Sequence, residues 1–338
     1  MPAHWQNTFS DSSWIGRILA QPNAATPGSL PDSPLGLVQA QIKQPDLGVL
    51  QFEPGKSATS SLILSCGIHG NETAPIELIG QIVEDIFSGD LAVGVRLLII
   101  LGHPPAAEAG KRFLEVNLNR LFGPSETLSD NYEAGRAKAL KAIVDSFLKQ
   151  QSHQCYHLDL HTAIRSSHFE KFAVSPFGQT LNPKTIELLG AMGVEAILQS
   201  HQPASTFSHY SFAAANATAF TLELGKVEDF GNNDLSRLAA ADNTLRAMVQ
   251  GLRPTTTPTR ESEPPVRFRV VKELLRVSED YELLIEADTA NFTPYPTNTL
   301  IARNAESEYR TVYPNEHIVF PNPEVPVGQR AGLMVIKI

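Results

Sequence analysis

Between about residues 60 and 252, short apolar runs rich in Leu, Ile and Val alternate with longer stretches whose apolar positions recur at helical spacing. This alternation is typical of βαβ units, in which helices cover a mainly parallel sheet. The predicted strands are Ser61–Cys66, Arg96–Gly102, Tyr156–His161, Phe169–Val174, Glu195–Leu198 and Ala217–Leu224. The predicted helices are Ala74–Phe87, Asn131–Leu148, Pro183–Met192 and Asn233–Leu252. The pattern therefore predicts an α/β domain.

The pattern changes at Arg253. The segment RPTTTPTRESEPP contains four prolines, which cannot continue a helix and predict an extended linker. Beyond it, the short runs VRFRVV, TLIA, HIVF and GLMVIKI are separated by turn residues and predict a small β domain. We therefore expect a catalytic α/β domain over residues 1–258 and a β domain over 259–338, while the first 35 or so residues carry no pattern that assigns them.

Composition narrows the class of protein. The 338 residues fit about two domains, and 27 basic against 36 acidic residues give a net charge of −9, which argues against nucleic acid as a partner. The sequence shows no signal peptide, no apolar run long enough to span a membrane and only two cysteines, Cys66 and Cys155. We expect a cytoplasmic protein that acts on a small molecule without a membrane or nucleic-acid partner, and a homo-oligomer is compatible with the sequence.

Two polar residues follow the first predicted strand. The loop GIHGNETAP places His69 and Glu72 at the carboxyl end of that strand, where ligands bind in open α/β sheets. An imidazole and a carboxylate three residues apart in a tight turn can converge on one metal ion. Thr73 is predicted to cap the following helix. For this motif alone, a capped helix that happens to follow a histidine is an equally good interpretation.

The segment YHLDLHT adds a second polar cluster. Its alternation places His157, Asp159 and His161 on one face of a strand. His161, at the end of the strand, can supply a third metal ligand, Asp159 can orient its imidazole, and His157 is predicted to be structural. Together with His69 and Glu72 this gives three ligands and leaves a fourth tetrahedral position for water, as in catalytic zinc sites.

The predicted strand Ala217–Leu224 is apolar except near its end, where Glu223 precedes a glycine. A buried carboxylate without a partner is unfavourable. Two interpretations remain open from the residues alone: Glu223 pairs with a basic group in the core, or it lies at the open end of the sheet as a general base.

The segment KRFLEVNLNRLF contains Arg112, Asn119 and Arg120, and Arg165 follows His161 by four residues. The planar guanidinium matches the geometry of a carboxylate, so these side chains are candidates for binding an acidic substrate. A solvated basic loop is the alternative interpretation.

Four motifs in this order, HGNE at 69–72, NLNR at 117–120, DLHTAIR at 159–165 and TLELG at 221–225, resemble the succinylglutamate desuccinylase and aspartoacylase family of zinc amidohydrolases. DLHTAIR and the later segment FPNPEVPVGQRAGLM are similar to the succinylglutamate desuccinylase branch. The resemblance implies an α/β fold with a zinc-carboxypeptidase-like mixed sheet flanked by helices and a smaller C-terminal β domain.

The resemblance also implies roles for individual residues. It implies that one zinc ion per subunit is held by His69, Glu72 and His161, and that Glu223 activates the attacking water. By the same resemblance, the scissile carbonyl and the substrate carboxylates would contact Arg112, Asn119, Arg120 and Arg165. A tyrosine of the C-terminal domain reaches the substrate in aspartoacylases, and Phe320 lies near the matching position here.

The implied reaction is hydrolysis of N-succinyl-L-glutamate to succinate and L-glutamate, a step of arginine catabolism by the arginine succinyltransferase pathway. Three alternatives stay open at this point. They are a deacylase of another N-acyl amino acid such as N-acetylaspartate, a carboxypeptidase-like exopeptidase, and a non-catalytic protein that binds zinc or carboxylates.

Overall fold

The computed structural model describes residues 4–25, 40–54, 58, 60–124, 130–149, 154–253 and 264–338. The helices are α1 Trp14–Ala20, α2 Thr73–Ser88, α3 Pro104–Glu108, α4 Tyr132–Lys149, α5 Pro183–Ala191, α6 Phe207–Ala215 and α7 Ala239–Val249. The strands are β1 Ala40–Asp46, β2 Val49–Pro54, β3 Ser60–Cys66, β4 Arg96–Leu101, β5 Gln154–Ala163, β6 Lys171–Ser175, β7 Ala196–Gln199, β8 Thr218–Lys226, β9 Val266–Leu275, β10 Glu282–Leu283, β11 Thr293–Tyr295, β12 Leu300–Arg303, β13 Glu308–Arg310, β14 Glu316–Val319 and β15 Arg330–Lys337. The predicted linker lies almost entirely outside the described residues.

The predicted strands correspond to β3–β8 and the predicted helices to α2, α4, α5 and α7. The prediction for α7 was too long at its start, because the side chain of Asp234 accepts a hydrogen bond from the Ser236 amide and begins a separate 3₁₀ turn. The predicted cap at Thr73 was wrong: Glu72 occupies the cap position without a capping hydrogen bond, and Thr73 donates its hydroxyl to the Glu228 carbonyl at 2.7 Å.

One mixed sheet runs through the molecule. It has twelve strands in the order β1-β2-β4-β3-β5-β8-β6-β7-β9-β15-β14-β11. Strands β4, β3, β5 and β8 are parallel to one another, whereas β6 runs antiparallel to β8. Because β3, β5 and β8 are parallel neighbours, their carboxyl ends meet at one edge of the sheet. This is where the sequence places its candidate ligands.

Helices cover both faces of the central strands, which explains their nearly uninterrupted apolar sequences. On one face, Leu62 and Leu64 of β3 share a buried cluster with residues of α1, α2, α5 and α7. On the other face, Ile63 packs in a cluster with residues of α4 and α6. The α/β architecture predicted from the periodicity is therefore confirmed. No helix within the described ranges is long and apolar enough to cross a membrane.

The C-terminal strands extend the same sheet. Strand β9 pairs in parallel with β7, and β15, β14 and β11 follow, while β10, β12 and β13 form a small second sheet. A third apolar cluster includes Phe172 of β6, Phe268 of β9 and Phe292 next to β11. The Asn291 amide donates to the Ser166 carbonyl at 2.8 Å. The segment that precedes β11 is therefore hydrogen-bonded to the segment that follows β5. The predicted β-rich C-terminal region is confirmed, and the boundary at 258 stays a prediction.

Gly70 sets the position of the loop between β3 and α2. A Cβ atom added at Gly70 would lie 2.2 Å from the carbonyl carbon of Ala106 and 2.2 Å from the amide nitrogen of Ala107. We expect Gly70→Ala to lower the free energy of unfolding by about 2 kcal/mol, because helix backbone cannot yield as a flexible side chain does. Urea denaturation measures the change.

The matched control is Gly135→Ala in α4, where an added Cβ would meet no atom within 4 Å. Because alanine favours helix over glycine by roughly 0.5–1 kcal/mol, this variant is expected to be neutral or more stable than the wild type. Equal stabilities of the two variants would contradict the argument.

Candidate metal centre

The loop after β3 and the end of β5 bring together His69, Glu72 and His161. One ligand atom from each lies within 4.8 Å of the others, and all three side chains are buried. The Nδ1 atoms of His69 and His161 each lie 2.8 Å from a different oxygen of Glu72. The structure therefore brings the two polar clusters of the sequence together, and the three residues predicted as ligands form one group that could hold a metal ion.

The other nitrogen of each imidazole is also fixed. Nε2 of His69 lies 3.0 Å from the Asn117 side-chain oxygen, and Nε2 of His161 lies 2.9 Å from Asp159 Oδ2. Both of these oxygens are acceptors, so each imidazole can donate from Nε2. A neutral ring that does so leaves the lone pair of Nδ1 available to a cation held between the imidazole and Glu72. Acceptor atoms that face one another suit a shared cation, so the donor set fits a divalent metal ion.

The hydrogen bonds that hold His161 continue from Asp159 to two further buried residues, Ser65 and His157. Asp159 also accepts a hydrogen bond from the Ser65 hydroxyl at 2.6 Å, and the same hydroxyl lies 2.8 Å from Nε2 of His157. Nδ1 of His157 contacts the Ser211 hydroxyl. His157 is thus buried with both ring nitrogens bonded, as the sequence predicted for a structural histidine.

Burial and charge set the protonation of the cluster. Burial lowers the pKa of His69 to about 4, so this imidazole is neutral at pH 7. Burial alone would raise the pKa of Glu72, but the two imidazoles and their hydrogen bonds hold it well below its usual range. For His161, the negative charges of Asp159 and Glu72 outweigh burial and raise the pKa. A metal ion binds an ionised carboxylate and neutral imidazoles, so Glu72 and His69 are in the required state and metal binding would release the proton of His161.

Glu223 lies next to this cluster on the neighbouring strand, because the β5–β8 register pairs it with His161. It is 8% exposed, and its Oε2 atom is buried without a hydrogen-bond partner among the described residues. Burial and the negative charge of Glu72 raise its pKa to about 7, although His161 and Arg112 partly offset them. Within the described chain Glu223 forms no ion pair, so the structural alternative considered for it loses its support.

Arg112 reaches the cluster from the loop after α3. Its Nη1 atom donates to Glu72 Oε1 at 2.7 Å, and its carbonyl accepts from the Gly70 amide at 3.1 Å. Two backbone amides of the same loop, those of Leu114 and Glu115, donate to the buried carboxylate of Glu133 at 2.9 and 3.0 Å. Sequence reasoning missed Glu133, because an acidic residue in the first turn of a helix gives no signal of burial.

Asn119 and Arg120 lie in a 3₁₀ turn over Leu118–Arg120. The side-chain oxygen of Asn119 accepts from the Phe207 amide at 2.9 Å, and its amide nitrogen donates to no other described residue. The turn starts at Asn117, whose side-chain oxygen accepts from the Asn119 amide at 3.0 Å as well as contacting His69. Asn117 therefore links His69 of the candidate metal site to the predicted substrate-binding turn, a role that sequence reasoning did not assign.

Arg165 is placed differently. Its guanidinium donates to the carbonyl of Ala287 in the C-terminal region and makes no contact with the ligand cluster. Its assignment as a carboxylate clamp, like the substrate-binding roles of Arg112, Asn119 and Arg120, stays a prediction.

Comparisons with known proteins identify the family of both parts of the chain. Residues 58–249 match the succinylglutamate desuccinylase/aspartoacylase catalytic domain, and residues 263–338 match the AstE/AspA barrel-sandwich hybrid domain. A succinylglutamate desuccinylase from Burkholderia thailandensis is 43% identical over 297 residues, which cover 86% of this chain and 84% of that protein.

Solved structures show the same similarity. The succinylglutamate desuccinylase of Vibrio parahaemolyticus superposes with a TM-score of 0.87 at 36% identity, covering 98% of this chain and 96% of that one. The enzyme of the same name from Chromobacterium violaceum gives a TM-score of 0.83 at 33% identity, covering 97% and 98%. The fold, the site and these similarities together show that the chain belongs to the succinylglutamate desuccinylase/aspartoacylase family.

Proposed function

We propose that this protein is a zinc-dependent amidohydrolase that cleaves N-succinyl-L-glutamate into succinate and L-glutamate. One observation carries the proposal: Glu223, a buried carboxylate whose Oε2 atom has no hydrogen-bond partner among the described residues, lies beside the buried cluster of His69, Glu72 and His161. The relatives named succinylglutamate desuccinylase support the choice of substrate. The proposal includes a zinc-carboxypeptidase-like sheet, a place in arginine catabolism, and a cytoplasmic location, where the free thiols of Cys66 and Cys155 would stay reduced.

The metal would be held by His69, Glu72 and His161, one ion per subunit. When bound there, zinc would polarise the amide carbonyl and lower the pKa of a coordinated water towards about 7. The chain itself contributes the orientation of the ligands, because Asn117 and Asp159 fix the two imidazoles from behind.

Glu223 is the proposed base and acid. Its carboxylate accepts one proton from water as the water oxygen forms a bond to the amide carbon, and it delivers that proton to the nitrogen of the departing glutamate. The C–N bond breaks in this second step, which gives succinate and the free amine. The pKa of about 7 suits both tasks, since the group can exist in either protonation state near neutral pH.

The positive charges of Arg112 and Arg120 complement the negative charge of the proposed substrate. N-Succinyl-L-glutamate carries three carboxylates, which a protein of net charge −9 would repel without local positive charge. Arg112 lies against the metal cluster and is 31% exposed, so it can reach the carbonyl oxygen of a bound amide. The Asn119 amide nitrogen has no acceptor among the described residues and Arg120 is exposed to solvent, and we assign both side chains to a substrate carboxylate.

The first prediction concerns the substrate. We expect the zinc-loaded protein to show a kcat/KM for N-succinyl-L-glutamate at least about 100-fold above that for N-acetyl-L-aspartate. N-Acetyl-L-aspartate lacks the carboxylate of the succinyl group, and each charge-assisted contact that this carboxylate would make is worth roughly tenfold or more. Steady-state assays of released amine measure both values. A chelator should abolish the activity and added zinc should restore it. Preference for N-acetyl-L-aspartate would instead identify an aspartoacylase-like enzyme.

The second prediction separates the base from the ligands. Glu223→Gln should keep its zinc and lose about 100-fold or more in kcat, because the change removes the base and leaves the ligands intact. His69→Ala should lose zinc and activity together. Metal content by atomic emission, measured beside kcat, tests both. Full activity of Glu223→Gln, or a full zinc content of His69→Ala, would show that the assignments are wrong.

The third prediction concerns stability in the metal-free protein. The pKa of Glu223 lies above its unfolded value of about 4.5, so the unfolded state ionises first and the wild type loses stability as the pH rises from about 4.5 to 7. Glu223→Gln lacks this loss. The variant should therefore match the wild type near pH 4.5 and exceed it at pH 8 by on the order of 1–3 kcal/mol. Urea denaturation at the two pH values measures the free energy of unfolding of both proteins. A difference between them that does not change with pH would argue against a raised pKa of Glu223.

A further inference from the structure

Glu133 is a buried carboxylate that the proposed reaction has not used. It lies in the first turn of α4, and its side chain is fully buried. Its Oε1 atom accepts three hydrogen bonds, from the amides of Leu114 and Glu115 at 2.9 and 3.0 Å and from Nε2 of His103 at 3.1 Å. Burial alone would raise the pKa of this carboxyl, but the hydrogen bonds hold it below its usual range, so Glu133 is ionised at pH 7.

His103 supplies the third donor in a fixed orientation. Its Nδ1 atom accepts from the Ala106 amide at 3.2 Å, where it caps α3, so the ring proton lies on Nε2 and is directed at Glu133. The imidazole is fully buried and stacks on the Tyr132 ring, with 5.0 Å between the ring centres. The His103 amide also donates to the carbonyl of Gly67, directly after β3, at 2.8 Å. The histidine is therefore held by backbone on two sides.

The two backbone donors belong to the segment 110–117, which forms neither helix nor strand. The middle of this segment is exposed, with Leu114 exposed by 42% and Glu115 exposed as well. Arg112 lies two positions before Leu114, Asn117 lies two positions after Glu115, and both contact the ligand cluster. The buried carboxylate therefore holds the segment midway between its two contacts with the candidate metal site.

The stretch 113–116 depends on this one carboxylate. Its backbone makes no other hydrogen bond to any residue that the structure describes. An exposed stretch outside helix and strand has low local stability unless specific contacts order it. Because Arg112 and Asn117 are joined to the two amides by short runs of backbone, the placement of both side chains depends on Glu133.

We propose that Glu133, oriented by His103, is a positioning residue that fixes the segment 110–117, so that Arg112 is directed at the amide carbonyl before the substrate binds. Glu133 acts through the two backbone amides, without a contact to any of the proposed metal ligands. Such preorganisation matters because displacing a catalytic group by about 1 Å can cost about 100-fold in rate. The inference rests on the proposed function for the role of Arg112, and on the hydrogen bonds of Glu133 for the positioning.

The first test is Glu133→Gln in the zinc-loaded enzyme. The amide oxygen of glutamine can replace Oε1, but without the negative charge it accepts the three hydrogen bonds more weakly. We expect kcat for N-succinyl-L-glutamate to fall about 10- to 100-fold while KM changes less than about threefold, because Arg112 is assigned to the carbonyl in the transition state. An unchanged kcat would overturn the proposal.

The matched control is Glu316→Gln in β14. Glu316 is also fully buried, and it also accepts from two consecutive backbone amides, those of Val312 and Tyr313, and from the Tyr309 hydroxyl. None of the proposed site residues lies in this part of the chain. Both variants should unfold at a lower temperature than the wild type, but Glu316→Gln should keep the wild-type kcat. An equal loss of kcat in the two variants would mean a general effect of stability and would contradict the proposal.

A double-mutant cycle tests whether Glu133 acts through Arg112. In the Arg112→Gln background, Glu133→Gln should lower kcat by less than about twofold, because the group that it positions is absent. The same 10- to 100-fold loss in both backgrounds would show an effect that does not pass through Arg112 and would overturn the proposal.

His103→Asn provides a second variant that leaves the carboxylate in place. Asparagine can still cap α3, but it removes the Nε2 donor. We expect a loss in kcat smaller than that of Glu133→Gln, about 3- to 10-fold, and again almost none in the Arg112→Gln background. This variant tests the proposal even if Glu133→Gln does not fold, and a wild-type kcat would refute the role of His103.

Amide hydrogen exchange separates this inference from the proposed reaction. In the wild type, the amides of Leu114 and Glu115 should exchange at least about tenfold more slowly than amides of an unstructured peptide, and Glu133→Gln should remove this protection. Protected amides in a protein that does not hydrolyse N-succinyl-L-glutamate would refute the reaction alone. Hydrolysis by a wild type in which both amides exchange freely would refute the positioning role alone.

Discussion

The carboxylate of Glu72 is the interaction on which the rest of the site depends. One of its oxygens faces His69 and Arg112, and the other faces His161 and the Thr162 amide. A single side chain therefore connects the loop after β3, the loop after α3 and the end of β5. Glu72 also precedes the first turn of α2, where the helix dipole favours a negative charge. These favourable contacts offset the cost of burying the carboxylate.

Glu223 lies beside Glu72, but its pKa is shifted in the opposite direction. The surroundings of Glu72 hold its pKa well below the usual range, whereas those of Glu223 raise its pKa to about 7. The two effects are linked, since the negative charge of Glu72 is one cause of the rise at Glu223. Two carboxylates whose pKa values are driven apart can divide the work of ligand and proton carrier. The raised pKa of Glu223 thus depends in part on the ionised state of Glu72.

Sequence reasoning succeeded where local pattern determines structure. The period of two along β5 placed Asp159 and His161 on one face, and the apolar runs located β3–β8. It failed where the surroundings of a residue are formed by segments that are distant in the sequence. The acidic Glu133 resembles a surface residue of α4, and the turn residue Asn117 shows its link to His69 only in three dimensions. Strand β1, with the polar sequence AQIKQPD, gives no apolar alternation because it lies at the edge of the sheet.

The same limit applies to the C-terminal strands. Their composition and the proline-rich segment before them suggested a separate unit, yet β9 continues the central sheet through its pairing with β7. The C-terminal strands also pack against the central ones: Phe320, which follows β14, lies 5.7 Å from Phe172, and Phe172 pairs with Glu223 across the β6–β8 ladder. The predicted linker therefore separates two stretches of sequence whose strands form one continuous sheet.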